Sequence, residues 1–239
     1  MKNIKNFLTP VLILVFTVAF LSCKNNKTEK AEPEKAMPKD TATAVAVFEP
    51  YKVIVIKHKV ADYEKWRMGY DAHDSVRKAY GITHFVVGRG IDNPNMIVII
   101  DKFSDVQKAK DFSMLPNLKD AMKKAGVTGK PEFSYYDVIR NDTTKIDQKD
   151  RLMVTHKVKD FDAWLKVYDA EGTAKRMEEG FIDRGLARSI DDPNIVAIVF
   201  AITDMKKAKA SITSEAKKKL MKDAGVVGAP EMFFYKIMD

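Results

Sequence analysis

Apolar positions along the chain follow two rhythms that alternate in a fixed order. Val53–Val60 is a run rich in β-branched residues, the composition of a strand. Asp62 follows as a helix N-cap, and Tyr63, Trp66, Tyr70, Val76 and Tyr80 recur at spacings of three, four or their sums. That stripe predicts an amphipathic helix ended by Gly81. Thr83–Ile91 then reads as a strand, Asp92-Asn93-Pro94-Asn95 as a turn, and Met96–Phe103 as the returning strand. Ser104 with Gln107 has capping-box spacing and predicts a helix through Ala109, Phe112, Leu118 and Met122. Gly126 closes it, and Phe133–Ile139 predicts a last strand.

The same series then recurs: strand Leu152–Val158, a helix from Asp160, strands Ile182–Ile190 and Ile195–Ile202, a helix to Ala224, and strand Met232–Met238. The recurrence is visible in the letters. HKVADYEKW at 58–66 matches HKVKDFDAW at 156–164, RGIDNPN at 89–95 matches RSIDDPN at 188–194, and AMKKAGVTGKPE at 121–132 matches LMKDAGVVGAPE at 220–231. The offset is 98 at first and 99 afterwards, so one single-residue indel accommodates the duplication. Two copies are too few for a solenoid and predict paired units at 50–141 and 150–239. Strand–helix–strand twice per unit gives a four-stranded antiparallel sheet with two helices on one face. Both phases of the strands are apolar, Val53/Val55 as well as Ile54/Ile56, so the face without helices needs a partner sheet. The duplicate supplies one.

The order of elements, with the H-K-V-x-D-[YF]-x-x-W and A-G-V-x-G-x-P-E segments, resembles the dimeric α+β barrel superfamily, the antibiotic-biosynthesis-monooxygenase-like group. The resemblance covers residues 50–140 and 150–238. It implies an α+β fold in which two tandem ferredoxin-like βαββαβ units form an intramolecular dimeric α+β barrel, and so a monomer. It implies no single activity, because that superfamily includes monooxygenases, haem-processing enzymes, isomerases and proteins with no known reaction.

The first 22 residues read differently. Lys2 and Lys5 precede an apolar stretch from Phe7 to Leu21, the charged start and apolar middle of a signal peptide. The stretch is shorter than the ~20 residues a membrane span needs. It ends at Ser22-Cys23, the only cysteine of the chain. This resembles a bacterial lipoprotein signal, with Phe20 standing where such signals usually carry Leu. The resemblance implies a diacylglycerol anchor on Cys23, and a place in the cell envelope at the outer membrane or its periplasmic face. Residues 23–49 are rich in Lys, Glu, Asn, Thr, Ala and Pro without an apolar period, and predict a disordered tether.

Composition adds mainly exclusions. One Cys excludes an intrachain disulfide framework and a thiolate-rich metal site. The net charge of +8 comes mostly from scattered Lys, as in Lys206-Lys207 and Lys217-Lys218-Lys219, without clustered Arg and exposed aromatics. Nucleic acid is therefore not an expected partner, and a weak attraction to anionic headgroups is the more plausible use of the charge. No P-loop, nucleophile elbow or paired-carboxylate motif is present, so no cofactor is expected.

The residues left with chemistry are duplicated. His58 and His156 close each first strand, in phase with its apolar residues, and read either as general bases or as satisfied interior histidines. Trp66 and Trp164 lie in the helix stripes, as core or as a ligand-stacking surface. Arg89 and Arg188 read either as partners of Asp71 and Asp169 across the helix–sheet junction or as holders of a ligand carboxylate. The copies also diverge: His73 becomes Glu171, and His84 becomes Asp183 or Arg184 according to where the indel falls. His58, Asp71, His73 and Glu132 offer no short two-His spacing, so no metal is expected. The leading functional expectation is a membrane-anchored module binding a small apolar or aromatic ligand between sheets and helices. The alternatives are a cofactor-independent monooxygenase or isomerase acting on a small aromatic or apolar substrate, and a structural envelope protein with a filled barrel.

Overall fold

The computed structural model describes residues 48–239, where the strand–helix–strand series occurs four times in a row. The first copy holds β1 (Tyr51–Val60), α1 (Tyr63–Ala72), α2 (Asp74–Ala79), β2 (Ile82–Gly90), β3 (Met96–Phe103), α3 (Val106–Met114), α4 (Pro116–Lys124) and β4 (Val127–Asn141). The second holds β5 (Asp150–Val158), α5 (Phe161–Glu171), α6 (Thr173–Glu178), β6 (Phe181–Ser189), β7 (Ile195–Ile202), α7 (Met205–Thr213), α8 (Glu215–Asp223) and β8 (Val226–Ile237). The signal-like segment, Cys23 and nearly all of the tether-like segment lie outside the described residues. Among the described residues no helix is long and apolar enough to cross a membrane.

Each helix read as one element is two. Pro116 cannot donate a backbone hydrogen bond, so it ends α3 and starts α4 as a first-turn residue. In the second copy Ser214 makes the same break, its hydroxyl capping Lys217 N at 3.1 Å. The cap of α3 is Asp105, which accepts from Lys108 N at 2.9 Å, and not Ser104 as its spacing predicts. A carboxylate is as good a cap as a hydroxyl, and the Asp204 carboxylate repeats it in α7. Strand β4 begins at Val127, six residues before the expected start. The Gly129–Pro131 stretch is absorbed by a register shift against β1 between Lys57 and Lys59.

All sheet pairs are antiparallel, and the eight strands close in the order β1-β3-β2-β8-β5-β7-β6-β4. Within each copy this is the ferredoxin-like order; β2–β8 and β4–β6 join the copies into one barrel. Alternation along each strand then sorts the apolar residues. Ile54, Ile56, Ile97 and Ile99 pack outward under the first copy's helices, and Leu152, Val154, Val196 and Ile198 do so in the second. Val53, Val55, Val98, Met153, Tyr136 and Tyr235 meet from both copies inside the barrel. The β surface that a single unit would leave bare is therefore buried against its duplicate.

Candidate functional site

His58 and His156 stand on the outward phase of β1 and β5, the phase of Ile56 and Val154, and so face the helix layer and not the barrel interior. The Asp62 and Asp160 caps start α1 and α5 so that Trp66 and Trp164 fall on the inner face one turn later. Each imidazole meets its indole edge-on, at 5.7 Å for His58–Trp66 and 5.4 Å for His156–Trp164 between ring centres. The next turn stacks Tyr70 on Trp66 at 5.3 Å and Tyr168 on Trp164 at 5.2 Å. A guanidinium completes each column: Arg77 lies 3.7 Å over Tyr70, and Arg176 lies 4.0 Å over Tyr168. The sequence brings together His, Trp, Tyr and Arg in both copies, and the Arg is the member its reading missed. The signal was there, since Arg77 and Arg176 recur at the later offset in the last turn of a predicted helix.

Neither histidine is satisfied. Both are buried, and neither ring nitrogen of either residue has a hydrogen-bond partner. Burial away from water disfavours the imidazolium and holds both pKa values down at about 4. At neutral pH each is an uncharged ring with one unused donor and one unused acceptor.

The charged ends of the columns differ between copies. In the first, the fully buried Asp101 carboxylate accepts from the Tyr70 hydroxyl at 2.9 Å and pairs with Arg77 at 3.8 Å. His84 Nδ1 sits 2.9 Å from the same hydroxyl and 3.5 Å from the Asp101 carboxylate, which holds the imidazole pKa above its usual value. Burial, then the Asp101 charge, pushes the Tyr70 phenol up. In the second copy Phe200 occupies the position of Asp101, and the acid has moved across the ladder to Asp183, which takes both Arg176 Nε (2.8 Å) and Nη2 (2.7 Å). Strand pairing thus aligns His84 with Asp183 and not with Arg184. The extra residue is Gly172, at the α5–α6 break, where φ is +78°.

Arg89 and Arg188 are not brought to these columns. Arg89 donates to the Pro94 carbonyl at 3.1 Å and lies over Tyr63, and Arg188 repeats this with the Pro193 carbonyl and Phe161. Asp71 pairs instead with Arg67 and Asp169 with Arg140, so the expected Asp–Arg pairings across the junction do not form. Arg67 and Arg140 satisfy those carboxylates at closer range, leaving Arg89 and Arg188 to clamp the turns that follow their strands.

A cavity opens beside each histidine, about 90 Å³ next to His156 and about 50 Å³ next to His58. The difference has a cause in the sequence. Phe112 fills the first copy's cavity from α3, whereas the second copy carries Ser211 at the equivalent place on α7. The rims diverge with it: His73 and Leu118 line the first, Glu171 and Lys217 the second. Lys217 pairs with Glu171 and with Glu179 at 2.6 Å, and Ser211 donates to Glu179 at 2.7 Å. That network holds the Glu179 carboxyl below the usual carboxylate range despite partial burial, which acts the other way. The His156 cavity is thus apolar inside, with a ring of paired charges at one end. Among the described residues no three His, Cys, Asp or Glu side chains converge as a metal site needs.

No protein-family model matches the sequence, and no curated protein does. Solved structures do match the fold. An anthrone oxidase-like protein superposes with a TM-score of 0.56 at 12% identity, over 79% of this chain and 92% of that one. A proposed monooxygenase from Fusobacterium nucleatum superposes with a TM-score of 0.51 at 12% identity, over 80% of this chain and 93% of that one. A ferredoxin-fold protein from Listeria monocytogenes, related to antibiotic biosynthesis monooxygenases, aligns at 10% identity and a TM-score of 0.45 over 80% and 97%. The protein shares the fold of the first two of these structures, with two ferredoxin-like units closing one eight-stranded α+β barrel within a single chain.

Proposed function

We propose that the protein is a small-ligand-binding module whose site is the cavity of the second copy, between α5, α8 and the outer face of the barrel. Its ligand is mostly apolar or aromatic and carries one polar group for His156. The observation that supports this is the His156 ring, buried with both nitrogens unpartnered at the wall of an apolar cavity. An unmade hydrogen bond at a buried polar group costs about 1–3 kcal/mol, which a ligand hydroxyl would recover. Trp164 lines the same cavity. Titration with 1-naphthol, read by fluorescence of Trp164 in a Trp66→Phe background, tests the reading. Quenching that saturates, and a roughly tenfold weaker affinity in His156→Phe with naphthalene binding unchanged, is expected from the loss of one hydrogen bond. Equal naphthol affinity with and without His156 would refute it.

A cofactor-independent oxidation or isomerisation of the same ligand class is the second reading, supported by the same open nitrogens and by the names of the fold neighbours. An imidazole with a pKa of about 4 is a weak base at neutral pH, which places binding ahead of turnover. Residues 1–23 further support a lipid anchor at the cell envelope. Cys23→Ser is expected to move the protein from the detergent to the aqueous phase on partition, and an unchanged partition would count against the anchor.

A further inference from the structure

A further apolar cavity lies away from the histidines, inside the barrel, with a volume of about 310 Å³. The two copies wall it unequally. Strand pairing aligns Val98 with Ala197, Ile100 with Val199 and Val86 with Gly185, so the second copy presents the smaller side chain each time. The same alignment puts Arg151 where the first copy has the inward-facing Val53, and Arg184 where it has Phe85. One half of the lumen is trimmed, and two guanidiniums stand at its end.

Those guanidiniums are poorly matched. Arg151 is 7% exposed and donates through Nη1 to the carbonyls of Gln148 (2.6 Å) and Asp150 (3.1 Å). Among the described residues it has no carboxylate within 4.0 Å. Asp150 is turned to Lys236 at 3.8 Å. The Arg184 side chain is 14% exposed; its Nη1 has no hydrogen-bond partner, and Asp142 approaches it only to 3.5 Å. A buried cation without its anion is expensive, and burial together with the nearby Arg184 charge depresses Arg151 below the usual guanidinium value. A guanidinium at the end of an apolar cavity is the arrangement that takes a carboxylate through paired N–H donors. The cavity also lies at the lower end of the size range of small-molecule sites, roughly 300–1,000 Å³.

We propose that the lumen is a second binding site, for an apolar carboxylic acid, with the carboxylate held by Arg151 and Arg184 and the hydrocarbon among Val55, Met153, Tyr136 and Tyr235. Calorimetric titration with decanoate, decanol and acetate tests it on the intact protein. Decanoate is expected to bind one per chain, decanol at least tenfold more weakly, and acetate not measurably. Arg151→Met and Arg184→Gln each reduce decanoate affinity about tenfold, the effect of one charged hydrogen bond, and leave decanol unchanged. Ala197→Leu, which refills the lumen, removes decanoate binding while naphthol at the His156 cavity is unaffected. Arg184→Gln keeps the test informative if Arg151→Met does not fold. Equal affinity for decanoate and decanol, or for decanoate and acetate, would overturn the proposal. So would decanoate affinity that falls in His156→Phe but not in the arginine variants, because the acid would then occupy the other cavity.

Discussion

A histidine that keeps both nitrogens dry makes folding sensitive to acid, and this chain has two. The unfolded chain protonates each ring near the ordinary value of 6.5, while the folded protein refuses the proton until about 4. The unfolded state therefore binds more protons between those values, so stability is full above pH 6.5 and is lost as pH falls from 6.5 towards 4. His84 acts oppositely, since Asp101 raises its pKa and its contribution fades as pH rises. The net expectation is a loss by pH 5 of about 2 kcal/mol for each of His58 and His156. Guanidinium midpoints at pH 7.5 and pH 5 measure it. His58→Leu/His156→Leu is expected to lose far less over that interval. A double variant as acid-sensitive as the parent would mean that other groups carry the effect. His58 and His156 were legible as candidates from their recurrence, but the lack of hydrogen-bond partners at both rings was not. Hydrogen-bond partners depend on which helix side chains reach the outer sheet face, and no local spacing encodes that.

At the scale of elements, strands were the more legible. Met96–Phe103 and Ile195–Ile202 run as the β-branched pattern predicts, because both phases of a barrel strand are buried and the apolar run has sharp ends. The helices were legible in phase but not in continuity. Tyr63, Trp66 and Tyr70 lie on one face as their spacing requires, yet His73 and Leu115 end the first helix of each pair. A stripe with a three-or-four period continues across a short break if the second helix sits on the same sheet, so periodicity alone does not detect the break. Pro116 was the local sign. The pairing of Arg77 with Asp101, and its exchange for Arg176 with Asp183, was not legible because the acid moves between neighbouring strands. Two substitutions, at Asp101/Phe200 and His84/Asp183, compensate one another across a ladder rung that only the register reveals.

Closing eight strands into one ring leaves the molecule with two seams between its copies, and they are not equal. The β4–β6 seam registers five residue pairs, from Tyr136–Ser189 to Asn141–Gly185, and the β2–β8 seam registers three. The shorter seam is reinforced by Asp239: one carboxylate oxygen accepts from Val87 N at 2.6 Å, and the other from Arg67 Nη1 at 2.8 Å. Met238 N donates to the Val87 carbonyl at 3.0 Å beside it. Gly88 is on the same stretch, and a Cβ there would come within 2.2 Å of the Tyr235 ring, so the lumen's filling and the seam's closure depend on the same few atoms. Asp239→Ala would leave the Val87 amide without its charged acceptor, a loss of about 1.5–3 kcal/mol if the group stays buried. Opening would then begin at this seam, because local openings follow the least stable contacts. Amide hydrogen exchange is expected to accelerate at least tenfold at Val87 and Arg89, with Arg140 and Asp142 on the opposite seam unchanged. Uniform acceleration around the barrel would instead show that the ring opens as a whole and that Asp239 contributes only to global stability.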